Sequence, residues 1–174
     1  MKKKINFNLL KIIAIFLITI AIAYSCSKEP IDGPCIISVD VNFNILNQDG
    51  EDLLNPETPD YFPFEDMKLF YLINGEKVEV NDPNMDTPRN IMLITETSPY
   101  TLRCFTSDSD AGFTHEENGS KIGTSIAYLE LNENDTDTVT TEWASKDCSF
   151  SNDKVWYNDE LQAVGSVFEV VKSN

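Results

Sequence analysis

Val39, Val41, Phe43 and Ile45 alternate with Asp40, Asn42 and Asn44, a strict period of two that specifies a β-strand with one face buried and the other in water. The strand stops at Asn47-Gln48-Asp49-Gly50, a cluster of turn-forming residues. Residues 51–66 carry Pro56, Pro59 and Pro63 without periodicity and read as a loop. Met67–Ile73 and Glu76–Val80 then flank Asn74-Gly75, the dipeptide that supplies positive φ to a two-residue type I′ turn, so a hairpin is expected there. After a polar loop with Pro83 and Pro88, Asn90–Thr95 and Tyr100–Thr106 give two more strands about a Ser98-Pro99 turn.

Residues 107–120 are rich in Ser, Asp, Gly and Glu, lack periodicity and read as an exposed loop. Lys121–Leu131 is a long strand in which Ile122, Thr124, Ile126 and Tyr128 share one parity while Leu129 and Leu131 take the other, a slip that predicts a bulge. Thr138–Trp143 follows the acidic turn 132–137, Lys154–Tyr157 precedes a tight turn at Asn158-Asp159, and Ser166–Val171 is the last strand. With no amphipathic helix longer than a turn, the pattern predicts an all-β fold, an antiparallel β-sandwich of about seven to nine strands, with no internal repeat and no second domain.

The start of the chain departs from this pattern. Lys2, Lys3, Lys4 and Lys11 precede Ile12–Ala23, a stretch in which only Thr19 is polar, which has the length of a signal-peptide core and is short for a membrane span. The following Ala23-Tyr24-Ser25-Cys26 resembles the lipobox of bacterial lipoproteins, in which the cysteine receives a diacylglyceryl group and becomes the first residue of the mature chain. Ala23 stands where a large aliphatic is usual and Tyr24 where a small residue is, a looser box that resembles those of Bacteroidota lipoproteins. The resemblance implies a signal peptide at 1–25, lipid on Cys26, a tether at 26–34 with Pro30 and Pro34, and a β-sandwich domain at 35–174. In the same group of lipoproteins Lys28-Glu29 with Asp32 resembles a surface-export signal, which implies an outer-membrane anchor with the domain facing the cell surface; the alternative is a domain on the periplasmic face. The segments 49–56 and Val155-Trp156-Tyr157-Asn158-Asp159 are similar to small uncharacterised Bacteroidota lipoproteins. The first also resembles the opening of transthyretin-like and carboxypeptidase-regulatory-type sandwiches.

Removing 1–25 leaves 149 residues with nine basic and twenty-nine acidic side chains, a formal charge of −20. Such a surface repels phosphate backbones and anionic membranes, so nucleic acid is excluded as a partner and membrane attachment falls to the lipid. Beyond Cys26 the cysteines are Cys35, Cys104 and Cys148. An odd number allows one intrachain bridge, and Cys35 with Cys148 is the expected pair, one before the first strand and one in a late loop. Cys104, inside a strand, is expected to be an apolar core filler. No spacing is a CxxC, and no cofactor is implied.

Each candidate site also has a plainer role. His115, the single histidine, lies among Glu116, Glu117, Asn118 and Gly119 in the expected loop, with no nucleophile motif beside it. Asp108 and Asp110 with Gly112, and Asn132, Asn134, Asp135 and Asp137, offer oxygen ligands for calcium, but neither set has EF-hand spacing and solvated turns explain both. Trp143, Trp156 and Tyr157 are candidate glycan contacts; adjacent strand residues face opposite ways, so Trp156 and Tyr157 cannot share one core. Asp137-Thr138-Val139 resembles the O-glycosylation acceptor of Bacteroidota exported proteins, which implies Thr138 as the acceptor. The expectation is a non-catalytic, lipid-anchored module that binds a protein or a glycan. The alternative is a small hydrolase or a calcium-dependent accessory subunit of a surface enzyme system.

Overall fold

A computed structural model describes residues 35, 37–106, 113–117, 119–147 and 149–173. The expected signal segment 1–25, Cys26, the expected tether 26–34, Asp108, Asp110, Gly112 and Cys148 lie outside them. Residues 34–174 group as one unit.

The fold is all-β, with twelve strands among the described residues: β1 (Ile37–Ser38), β2 (Asp40–Leu46), β3 (Lys68–Ile73), β4 (Glu76–Glu79), β5 (Ile91–Ile94), β6 (Thr101–Phe105), β7 (Phe113–Glu117), β8 (Ser120–Asn132), β9 (Asp135–Lys146), β10 (Ser149–Tyr157), β11 (Glu160–Gln162) and β12 (Val167–Val171). One sheet of eight strands runs β1-β10-β9-β8-β3-β4, with β11 beside β10 and β7 beside β8; a second sheet of four runs β12-β2-β6-β5. The two stack in a sandwich-like arrangement and do not close into a barrel.

The purely antiparallel expectation is corrected in two places, because β1 pairs with β10 and β12 with β2 in parallel. Alternation along a strand reports which face is buried and is blind to the direction of the neighbour. The expected count is also low by the three strands β1, β7 and β11. The first has two residues and the last three, too short to show a period. Strand β7 corrects the loop expected at 107–120: Thr114, His115, Glu116 and Glu117 are all exposed, so a polar ribbon formed without any hydrophobic alternation.

The core forms where the sheets face each other. Val41, Phe43 and Ile45 of β2, Ile91 of β5 and Leu102 and Cys104 of β6 meet Leu69 and Tyr71 of β3, Ala127, Leu129 and Leu131 of β8, Val139 of β9, and Val155 and Tyr157 of β10. Phe43 packs edge-on to Tyr157 at 5.1 Å between ring centroids and stacks on Phe168 of β12 at 5.4 Å, so three strands are joined by one aromatic cluster. Leu53 and Leu54, from the proline-bearing loop, are fully buried at its edge.

The other face of β2 is less wet than alternation implies. Asn44 is buried, its amide donating to Tyr100 O at 2.6 Å and to Thr101 Oγ1 at 3.1 Å. The Asn74-Gly75 hairpin forms as expected, with φ of 53° and 85° at the two turn residues. Ser98-Pro99, the turn between β5 and β6, is cis.

Candidate functional site

Strands β8 and β9 pair over most of their length, and β10 extends the sheet through a register shift between Asn152 and Lys154. That bulge decides what the outer face carries. Asn152 lies opposite Trp143 and points inward with it, and both are buried. With one extra residue absorbed, Lys154 and Trp156 turn outward while Val155 and Tyr157 turn into the core. Without the bulge, Trp156 would be inside and Tyr157 outside.

Trp156 therefore stands on the outer face between two neighbours at the same level, Thr140 of β9 and Leu161 of β11. One step along, Thr124, Glu142 and Lys154 form the next row across β8, β9 and β10. Lys154 Nζ lies 2.8 Å from Glu142 Oε1 and 6.0 Å from the centre of the indole. Thr124, Thr140, Glu142, Trp156 and Asp159 line an open cavity of about 320 Å³. Leu161, 66% exposed, adds an apolar flank. Two hydroxyls, two carboxylates and a half-buried indole thus converge on one shallow hollow. Ile126 and Tyr128 lie nearby on the same outer parity of β8, whose inner parity is Ser125, Ala127, Leu129 and Leu131. The alternation does not slip inside this strand; both faces carry apolar residues, and the register shift falls at its end, between Glu130 and Asn132.

The other sequence candidates take different places. Tyr157 is a core residue and is corrected as a glycan contact: its hydroxyl donates to Asp137 Oδ2 at 2.5 Å. Burial, with the Asp137 carboxylate adding to it, pushes the phenol well above its ordinary range. Trp143 is 1% exposed, donates from Nε1 to Ser125 Oγ at 3.0 Å and is covered by Phe150. It cannot touch a ligand.

The oxygen-bearing turn 132–137 is engaged by groups of the chain itself. Asn132 Oδ1 accepts the Asn134 backbone N–H in a tight hairpin turn. Asp135 and Asp137 both hold Lys172 Nζ, at 2.7 and 2.6 Å, and Asp137 Oδ1 accepts the Asn158 amide at 2.7 Å. A lysine ammonium already sits between these two carboxylates, and no cluster of three or more metal-ligating side chains occurs among the described residues. This buried network escaped sequence reasoning because Lys172 and Asp137 are 35 positions apart.

His115 lies on the exposed edge strand β7 opposite Ile122, beside Glu116 and Glu117. Thr138 is half-buried in β9, its N–H donating to Asn158 Oδ1 at 2.8 Å and its carbonyl accepting the Asn158 N–H. Cys104 is a buried free thiol in the core, pushed far up its range by burial alone. Cys35 is not a free thiol. No helix among the described residues is long and apolar enough to cross a membrane. The chain matches no protein-family model, no curated protein and no solved structure.

Proposed function

We propose that this protein is a lipid-anchored, non-catalytic module of the cell envelope that holds a neutral glycan on the outer face of its eight-stranded sheet, at Trp156. The observation that carries this reading is the hollow beside the indole, where Thr124, Thr140, Glu142 and Asp159 surround one half-buried aromatic face. An indole face packs against the C–H side of a pyranose, while threonine hydroxyls donate and accept hydrogen bonds at its rim and carboxylates accept them from its hydroxyls. The two carboxylates and the acidic domain repel anionic sugars, which restricts the class to neutral ones.

The anchor in this proposal is the lipid on Cys26, which leaves the domain facing outward on a short proline-bearing tether. A Cys26→Ala variant is expected in the soluble fraction; its retention in the outer membrane would defeat the anchor. For the glycan, calorimetric titration with neutral oligosaccharides is expected to give binding that Trp156→Ala abolishes and Glu142→Gln weakens. Binding unchanged in Trp156→Ala would sink the site.

A further inference from the structure

The edges of the two sheets are guarded unequally. Strand β4 carries Glu76, Lys77 and Glu79, β7 carries His115, Glu116 and Glu117, β11 begins with Glu160, β12 has Glu169 at its centre, and β1 is only two residues long. These are the devices by which proteins keep sheet edges from pairing with other chains: charge and shortness. Strand β5 has neither. It reads Ile91-Met92-Leu93-Ile94, without one polar side chain, and it is the last strand of its sheet, with a neighbour on one side only among the described residues.

The phase of its hydrogen bonding decides which backbone groups face that edge. Phe105 N–H donates to Asn90 O at 2.9 Å, which makes 90 and 105 a hydrogen-bonded pair in the antiparallel register Ile91↔Cys104, Met92↔Arg103, Leu93↔Leu102. Alternation then turns the backbone of Met92 and Ile94 toward β6 and the N–H and C=O of Ile91 and Leu93 away from it. Along this edge runs a cavity of about 400 Å³ lined by Phe64, Asp86, Pro88, Arg89, Met92 and Leu93, among others. Its wall is held in place: Arg89 Nη1 donates to the carbonyls of Phe64, Glu65 and Met67 at 3.0–3.2 Å, and its guanidinium covers the Phe64 ring at 4.5 Å. Ile91 is only 3% exposed, so the accessible outward pair is that of Leu93, and an apolar groove beside an outward-facing backbone pair is the geometry of strand addition.

We propose that the free edge of β5 takes an extended, basic peptide segment of a partner protein as a fifth strand of the smaller sheet. The backbone groups of Leu93 would pair with the added strand, and its alternate side chains would enter the groove against Phe64 and Pro88. Charge selects the occupant. Exposed Asp86 lines the groove and exposed Glu96 follows the end of the strand, in a chain whose net charge is −16. A second copy would bring the same acidic surface against this one, whereas a segment with lysines at its ends meets opposite charge.

The test uses a synthetic probe, acetyl-Lys-Val-Thr-Val-Thr-Lys-amide, titrated into the folded protein by calorimetry. A second probe has glutamates in place of the lysines, and a third is the lysine peptide with alternate backbone nitrogens methylated. The lysine peptide is expected to bind, the glutamate peptide about tenfold or more weakly, and the methylated peptide not at all. Met92→Lys, which places an ammonium at the exposed mouth of the groove, is expected to lower affinity for the lysine peptide by a similar factor while Trp156→Ala leaves it unchanged. Equal binding of the methylated peptide would reduce the effect to charge attraction and overturn the proposal. Failure of the lysine peptide to bind would do the same. A dimer in sedimentation without peptide, dissociated by Met92→Lys, would overturn it in favour of a second copy.

Discussion

Lys172, just beyond the last strand, places its ammonium 2.6 Å from Asp137 in the middle of the larger sheet, and both side chains are largely out of water. A charge so enclosed depends on its partner: removing the lysine leaves a carboxylate desolvated and uncompensated, although Tyr157 and Asn158 still donate to it. Lys172→Met is therefore expected to lower stability by about 3 kcal/mol. The exposed pair Lys154–Glu142, broken by Lys154→Met, is expected to cost less than about 1 kcal/mol. Urea unfolding of both variants checks the contrast, and equal losses would mean that the buried network is not a structural clamp.

Tyr157 gives the domain an alkaline limit. Its pKa in the folded state is raised above the unfolded value, first by burial and then by Asp137. The stabilisation is thus fully present below the ordinary tyrosine value near 10 and is lost progressively as pH rises above it. Stability measured against pH should fall from about pH 10 upward, less steeply in Tyr157→Phe, and tyrosinate absorbance should show a phenol that ionises only with unfolding.

The bulge in β10 is open to a direct test. Deleting Asp153 removes the extra residue but leaves Lys154 opposite Glu142, so Trp156 stays outward and Tyr157 keeps its contact with Phe43 and its hydrogen bond to Asp137. Inserting one alanine between Lys154 and Val155 instead reverses the parity and drives Trp156 inward and Tyr157 outward. The insertion is expected to cost at least about 4 kcal/mol, read as loss of cooperative thermal unfolding, and the deletion only about 1 kcal/mol. An insertion variant that melts like the parent would show that the face assignment of this strand does not depend on the residue count.

The cysteines are expected to divide by accessibility. Cys104, buried and with its thiolate disfavoured, should react with iodoacetamide only after unfolding. Cys35 precedes Ile37, which pairs with Phe150 in a parallel ladder that continues to Ser38 and Ser151. The pairing of Cys35 with Cys148 expected from the sequence is open to a mass measurement. Intact mass should rise by two hydrogen atoms on reduction, and an unchanged mass would exclude that pairing.

What could be read from the residues follows from how each signal arises. Strands with one buried face announced themselves: β2 through Val41, Phe43 and Ile45, and the β3–β4 hairpin through Asn74-Gly75. Strand β7 did not, because exposed residues on both faces leave no alternation. The site was legible only in part. Alternation showed that Trp156 and Tyr157 face opposite sides, but which one points outward depends on the register shift after Asn152, a property of pairing with β9 and not of β10 alone. The acidic turn at 132–137 resembled a cation site for a sound reason, since Asp135 and Asp137 do hold a cation; it is Lys172, contributed from the far end of the chain.

The parallel pairing of β12 with β2 also orders events in time. Val167–Val171 lie along Asn42–Leu46, so the smaller sheet is completed, and Phe168 reaches Phe43, only when the final residues are present. A chain emerging from its N-terminus holds β2 with one edge and part of its core unfilled until Val167–Val171 have emerged. The hairpins β3–β4 and β8–β9 can close locally as they appear, whereas the seam between β2 and β12 is a contact of high sequence separation and is slow to form. Loss of even a short C-terminal stretch would therefore reopen the earliest part of the domain.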